Sequence, residues 1–310
     1  MFVVVGEALI DLVGQRGGRT LAAHPGGSPA NVALGLARLG NPVTLMTRLG
    51  RDAFGATIRE HLEASGVRID AGPHDDEVST TIAIATLFAG VASYDFRIEW
   101  DVGSLLPLPV ETRCLHTGSL ATVLPPGNAN VIDLMEREHE RGRVTVSYDP
   151  NVRPALMGDA AAARPAVERL VALSDVVKVS DDDLGWLYPG RPYEEVAETW
   201  LASGPAVVVV TRGSEGVYAL CANAEVRRPA IPIDLVDTVG AGDSFTSGLL
   251  DGLRRADLIG VARRDSLAAI DDATLVEVID EAAQISAITC SRPGADPPTR
   301  AQLDAASVAG

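Results

Sequence analysis

The segment 237–245, DTVGAGDSF, sets an acid, Asp243, directly behind three residues with almost no side chain, Gly240, Ala241 and Gly242. The apolar run 231–236 before it reads as a strand and 244–253 reads as a helix, which places the acid in a strand-to-helix turn. In open α/β sheets such turns lie at the carboxyl ends of strands, where ligands bind. Small residues let a ligand approach the backbone closely, and the N–H groups of a helix N-terminus favour an anion. Two uses of Asp243 fit this setting. An acid in a first helical turn is favoured by capping and by the helix dipole alone. An acid beside a bound phosphate can also take the proton of a hydroxyl that attacks it. At a helix N-terminus the carboxylate is expected to stay ionised, as a weak base.

The elements that must position this turn follow from periodicity. Residues 2–5 form a short buried strand ended by Gly6, and 9–13 continue extended. GGSPANVALGLARLG, 26–40, marks a helix: Ser28 suits the N-cap, Pro29 the first helical position, Val32, Leu36 and Leu39 share a face, and Gly40 closes the end. Strand-like runs at 43–47, 115–120, 144–148, 176–179 and 206–211 alternate with helical patterns near 53–65, 128–141, 160–173 and 194–202. This alternation predicts an α/β fold with a mostly parallel sheet covered on both faces. The stretch 79–100 breaks it: STTIAIATLFAGVASYDFRIEW is β-rich, with a small-residue turn near Gly90, and reads as a hairpin projecting from the main domain. Such an insertion serves as a lid, as an edge that pairs with another subunit, or as both.

Bulk properties remove several classes. The 310 residues suffice for one large α/β domain, and a net charge of -16 argues against nucleic-acid and anionic-membrane partners, which need a basic footprint. Cys114, Cys221 and Cys290 are widely spaced and signal neither a disulfide framework nor a zinc site. His24, His61, His74, His116 and His139 have no metal-ligand spacing. The N-terminus has no basic n-region or cleavage pattern, and no apolar run reaches membrane-spanning length, so a cytoplasmic protein is expected. Lys178 is the only lysine and follows Val177 rather than a Walker glycine, which excludes a P-loop kinase, and VVVGEALIDL lacks the G-x-G-x-x-G of a nicotinamide dehydrogenase.

GEALIDL (6–12), GGSPANVALGLARLG, DPNVRP (149–154), VKVSDDDL (177–184), TRGSEG (211–216) and DTVGAGDSF, in this order, resemble the ribokinase-like (PfkB) carbohydrate kinase family, most closely its fructokinase branch. The likeness runs from Gly6 to about Thr299. One departure is Met157 after Leu156, where the fructokinase pattern often has a tryptophan. The resemblance implies a ribokinase-like three-layer α/β/α domain spanning residues 1–310, with a mostly parallel central sheet and a small β-rich lid formed by about 13–24 and 79–101. It implies ATP-dependent phosphorylation of a primary hydroxyl of a small sugar, fructose first. Other acceptors within the same chemistry are 2-keto-3-deoxygluconate, ribose or a nucleoside, and a non-catalytic sugar or nucleotide sensor is the reading from another class.

By the same resemblance Asp243 is the base, and Gly240, Ala241 and Gly242 form the anion hole. Asp11, Gly26, Gly27 and Asn31 contact the sugar, a charged acceptor and a bifunctional amide being suited to its hydroxyls. Arg153, which follows Asp149 and Asn151, and Arg97 of the lid face the phosphates or sugar. Lys178, Ser180, Asp183, Thr211, Gly213, Gly216, Asp237 and Thr238 fall on the nucleotide side. Ser180 and Asp183 stand where many relatives carry an Asn-x-x-Glu that orders water on Mg²⁺, which leaves the manner of holding that ion open. The segment 282–300 resembles the helix and loop flanking adenine, and a monovalent cation such as K⁺ sits in many relatives between this loop and the positions of Asp237 and Val239. A homodimer joined through the lid is the expected assembly.

Overall fold

The computed structural model describes residues 1–15, 17–72, 78–88, 91–103 and 107–308. Its strands are β1 (Phe2–Val5), β2 (Leu9–Gln15), β3 (Ala22–Gly26), β4 (Val43–Met46), β5 (Val67–Asp70), β6 (Thr81–Phe88), β7 (Val91–Arg97), β8 (Cys114–Gly118), β9 (Thr145–Asp149), β10 (Val176–Ser180), β11 (Val207–Thr211), β12 (Val217–Cys221) and β13 (Glu225–Arg228). Nine of them make one sheet in the order β13-β12-β11-β10-β9-β8-β1-β4-β5. Every neighbour pair from β11 to β5 is parallel, and β12 and β13 add an antiparallel edge. The unbroken apolar runs FVVV and VVVV explain this, because a strand covered by helices on both faces has no side left for polar residues. Alternate residues of β1 feed different cores. Phe2 and Val4 join the helices Ser28–Arg38, Ala241–Arg255 and Asp272–Cys290, while Val3 and Val5 join Gly127–Arg141 and Ala160–Ala172. The result is the three-layer α/β/α architecture expected from the alternation.

The remaining strands form a second sheet, β3-β2-β6-β7, in which β2 pairs antiparallel with β3 and parallel with β6, and β6 pairs antiparallel with β7. The β-rich stretch 79–100 is therefore a hairpin of this small sheet rather than part of the large one. Its turn near Gly90 lies outside the described residues, as does His74.

Two local expectations are corrected. Residues 231–236 are not a strand. Pro229 and Pro232 remove backbone donors that a ladder needs, and the segment has no regular structure; its Val236 and Asp237 amides meet the Cys290 carbonyl, and Leu235 is 64% exposed. Ser28 is not the cap of its helix. Gly27 holds that position with φ 102°, and the Ser28 hydroxyl is engaged elsewhere. Gly40 does end this helix: its amide bonds the Ala37 carbonyl and the Asn41 amide bonds the Leu36 carbonyl, the paired closure of a left-handed terminus.

Candidate active site

The carboxyl ends of the central strands bring the polar residues into one row. Gly118 of β8 lies beside Asp149 of β9, and Ser180 of β10 lies beside Thr211 of β11. The pairing of Val177 with Tyr148 sets Lys178 level with Asp149. The Lys178 Nζ donates to Asp149 Oδ2 at 2.8 Å, with the two residues 5% and 1% exposed. Burial pushes this ammonium down, but Asp149, Asp243 and Asp183 outweigh it and hold the group protonated above its ordinary value. The lone lysine is thus a fixed cation under the strand edge. A Cβ added to Gly242 would come within 2.9 Å of its Nζ, so it backs directly onto the glycine turn.

That turn opens the helix Ala241–Arg255. Gly240 caps it in the left-handed region at φ 74°, and a Cβ there would lie 2.6 Å from the Ala295 Cβ, so both conformation and space demand glycine. The Ala241 amide is spent on the Thr238 carbonyl at 3.2 Å and the Ser244 amide on Gly240 at 2.8 Å. The Gly242 and Asp243 amides lie in the first turn, where a helix supplies no acceptor of its own.

Asp243 does not cap this helix. Its Oδ1 accepts from Ser28 Oγ at 2.6 Å and its Oδ2 from Asn31 Nδ2 at 2.8 Å, both in the first turn of the helix Ser28–Arg38. Asp243 is 8% exposed, and burial raises its carboxyl above the usual range against the lowering by Ser28, Asn31 and Lys178. The expectation of a weak base is corrected here: removal from water outweighs the hydrogen bonds and the nearby cation. Asn31, read from the sequence as a sugar contact, gives one of its two amide N–H groups to the acid and keeps the other, with its oxygen, for further use.

Asp11 lies on β2, with Oδ2 2.2 Å from where a Gly26 Cβ would stand. Gly27, at φ 102°, has the Glu7 carbonyl 2.5 Å from the same point, so backbone excludes a side chain there, whereas at Gly26 the Asp11 carboxylate would have to move. Burial raises the Asp11 carboxyl, with His24 and Arg153 pulling it back. His24 stands directly across β3 from Asp11 and also lowers Asp237. Arg153 Nη1 donates to the Asn151 side-chain oxygen at 2.6 Å and to the Asn151 and Val152 carbonyls, which folds the guanidinium back along its own loop.

The expectation that Arg97 faces the phosphates is not met. Side chains paired across strands share a face, and Arg97 pairs with Ile82, which pairs with Ile10, whereas Asp11 pairs with Ala83 and Ala83 with Phe96. Arg97 is exposed on the face opposite Asp11, and Phe96 takes the inner one.

On the nucleotide side, Ser180 and Asp183 close a reciprocal cap on the helix Asp181–Leu187, Ser180 Oγ accepting from the Asp183 amide at 3.0 Å. Asp183 Oδ1 also accepts from the Val152 amide at 3.0 Å. Thr211, Gly213 and Gly216 form the turn between β11 and β12, where Gly216 at φ 97° lies against the Arg228 carbonyl. Asp237 accepts from the Val239 amide at 3.1 Å and the Gly294 amide at 2.8 Å. Partial burial pushes it up, but these amides and that of Thr238 hold it below the ordinary range. Among the described residues no group of three His, Cys, Asp or Glu side chains could hold a metal ion. With Asp183 engaged by backbone amides and Asp149 by Lys178, the residues present do not fit a protein cage for Mg²⁺.

Sequence reasoning missed Ser28 as the partner of Asp243, His24 as a group between Asp11 and Asp237, and Glu7 under Gly27. Only Glu7 left a signal, a lone acid inside the apolar run VVVGEALI.

A buried acid and a glycine turn at the carboxyl edge of a doubly wound sheet, with a small sheet carrying a second acid alongside, define a group-transfer site of the sugar-kinase class. Residues 1–302 match the pfkB family carbohydrate kinases, and the chain belongs to that family. It is 33% identical over 284 residues to a fructokinase of Rhizobium leguminosarum bv. trifolii, covering 89% of this chain and 85% of that protein. Its fold matches the fructokinase of Xylella fastidiosa with bound ATP at a TM-score of 0.85 and 25% identity, covering 98% and 97% of the two chains. It also matches a fructokinase double mutant of Vibrio cholerae O395 bound to fructose, ADP and a potassium ion, at a TM-score of 0.79 and 26% identity over 99% and 97%.

Proposed function

We propose that the protein transfers the γ-phosphate of ATP to a primary hydroxyl of a small sugar, fructose being favoured by the fructokinase relatives. The observation that carries the mechanism is the Asp243 carboxylate, turned away from its own helix and held by Ser28 and Asn31 beside an unblocked helix N-terminus. The sugar lies against Asp11, Gly26, Gly27 and Arg153. Its hydroxyl oxygen bonds to the γ-phosphorus as the bond from that phosphorus to the bridging oxygen breaks, ADP leaves, and the hydroxyl proton passes to Asp243. The raised carboxyl suits this step, since it accepts the proton more readily than an exposed aspartate would. The Gly242 and Asp243 amides of the glycine turn steady the transferring oxygens, with the Lys178 cation behind them.

Lys178, Ser180, Asp183, Thr211, Gly213, Gly216, Asp237 and Thr238 border the nucleotide in this reading. Mg²⁺ would be held mainly by ATP oxygens rather than by this chain's side chains and would supply neutralisation of phosphate charge. The potassium ion bound in the Vibrio cholerae fructokinase double mutant favours a monovalent cation here too, between the Asp237–Val239 turn and the Gly294 loop. The small sheet acts as the lid, and its unpaired edges β3 and β7 suit a contact with a second copy. The free thiols Cys114, Cys221 and Cys290 suit a reducing, cytoplasmic setting. Assaying ADP release across a panel of sugars tests the reading: stimulation by fructose above other sugars is expected, and hydrolysis equally fast with no acceptor would overturn it.

A further inference from the structure

Glu7 is a buried carboxyl, 3% exposed, for which the mechanism above has no use. It joins the backbone under Gly27 to the turn that follows β8. Its carbonyl oxygen lies 2.5 Å from where a Gly27 Cβ would stand, so the sugar-facing glycine rests on the Glu7 backbone. Its Oε2 accepts from the Ala121 amide at 3.2 Å, in the turn Ser119–Thr122 that follows β8. Beside it Ser119 is held at φ 53°, a left-handed conformation costly for a residue with a Cβ, and its buried Oγ has no well-formed hydrogen bond among the described residues. The cation acting on the Glu7 carboxyl is Arg153, the same group that acts on Asp11.

We infer that Glu7 is a positioning residue for the acceptor: its carboxyl, held by the Ala121 amide of the Ser119–Thr122 turn, fixes the backbone on which Gly27 rests and thereby sets acceptor affinity. The inference rests on the sugar lying against Asp11 and the glycine pair.

The chemistry of the group adds a handle. Burial raises the Glu7 carboxyl to about 7, against the lowering by its own amide, Ser119, Arg153 and Ala121. Around neutrality it therefore changes charge. Ionised, it accepts strongly from the Ala121 amide; neutral, it is a weaker acceptor and holds the Ser119–Thr122 turn less firmly. Arg153 is a charged side chain that lowers it, and the same arginine lowers Asp11 together with His24.

The test is the pH profile of wild type and Glu7→Gln, with kcat and the KM for each substrate resolved over about two units either side of neutrality. In the wild type kcat/KM for the acceptor is expected to rise about tenfold with pH through an inflection near 7, carried by KM. Glu7→Gln, which keeps size and an acceptor oxygen, is expected to lose that inflection and stay at the low-pH affinity, with kcat and the KM for ATP within about twofold. Ser119→Ala removes one group that lowers the carboxyl and is expected to move the inflection to higher pH, which keeps the inference testable should Glu7→Gln not fold. An unchanged inflection in either folded variant, or none in the wild type, overturns the inference while sugar phosphorylation stands. A wild type that phosphorylates no sugar at any pH overturns the underlying reading, and this inference with it.

Discussion

Asp183 and Asp243 each stand third in a helix that starts at the carboxyl edge of the large sheet, Asp181–Leu187 and Ala241–Arg255, and burial pushes both carboxyls above the usual range. Asp183 turns back on its own helix. It faces the Ser180 amide while Ser180 Oγ accepts from the Asp183 amide, and the short helix is closed reciprocally. Asp243 turns outward to Ser28 and Asn31, more than two hundred residues away in sequence, and its helix begins with no side-chain cap. An acid at this position is ordinarily a cap. Where the fold leaves the cap unmade and imports donors from another element to hold the acid, the position serves something other than helix stability.

The largest expected effect separates the two. Asp243→Asn should lower kcat by about 10² to 10⁴, the usual worth of a general base, with substrate affinities within several-fold. Its stability should not fall. A carboxyl raised by folding contributes stability that is fully present below its unfolded pKa and is lost as pH rises through the folded one. Asparagine suffers no such loss, so the unfolding midpoint at neutral pH should equal or exceed that of the wild type. A variant with near-normal turnover per folded molecule would make Asp243 structural, and the comparison would collapse.

Lys178 lies between the two acids and lowers both, yet its hydrogen bond goes to Asp149. Lys178→Met strands Asp149 as a buried anion and should destabilise the protein by about 3–5 kcal/mol, read by denaturant titration. A loss under about 1 kcal/mol would show that the pair is solvated, and the buried character of the whole edge would be in question.

What the sequence showed of this edge, and what it hid, follows the same division between local and distant partners. The strands with continuous apolar runs and the helix ended at Gly40 were legible because periodicity and termination are written in neighbouring residues. The run 231–236 misled because its apolar pattern matches a strand while Pro229 and Pro232 deny it a ladder. Ser28 was read as a cap because the partner it prefers, Asp243, is reached only through tertiary packing. Its place in the lid hairpin suggests Arg97 for the phosphates, whereas the parity of β7 decides its direction and gives the inner face to Phe96. Chemical type could be read residue by residue; orientation could not.

A smaller effect sharpens the contrast from the structural side. Ser180→Ala removes the acceptor for the Asp183 amide and half of the reciprocal cap, and should lower stability by about 1 kcal/mol. Turnover should stay within about threefold, since the loss is one of helix closure. A drop in kcat comparable to that of Asp243→Asn would place Asp183 and its serine in the chemistry as well.

The smallest effect is the most discriminating, because the matching serine on the other acid should alter chemistry and leave closure alone. Ser28→Ala removes one of the two donors that oppose the burial of Asp243, so the carboxyl should rise further. The base works ionised, and a higher pKa therefore costs activity on the acid side of the profile and none on the alkaline side. The acid limb of kcat should move to higher pH by about one unit or less, with turnover above the limb within about threefold of the wild type. Ser180→Ala should leave that limb where it is, because its serine serves Asp183. A limb that stays put in Ser28→Ala, or moves equally in both variants, would show that the two acids are held alike despite the different direction each takes from its helix.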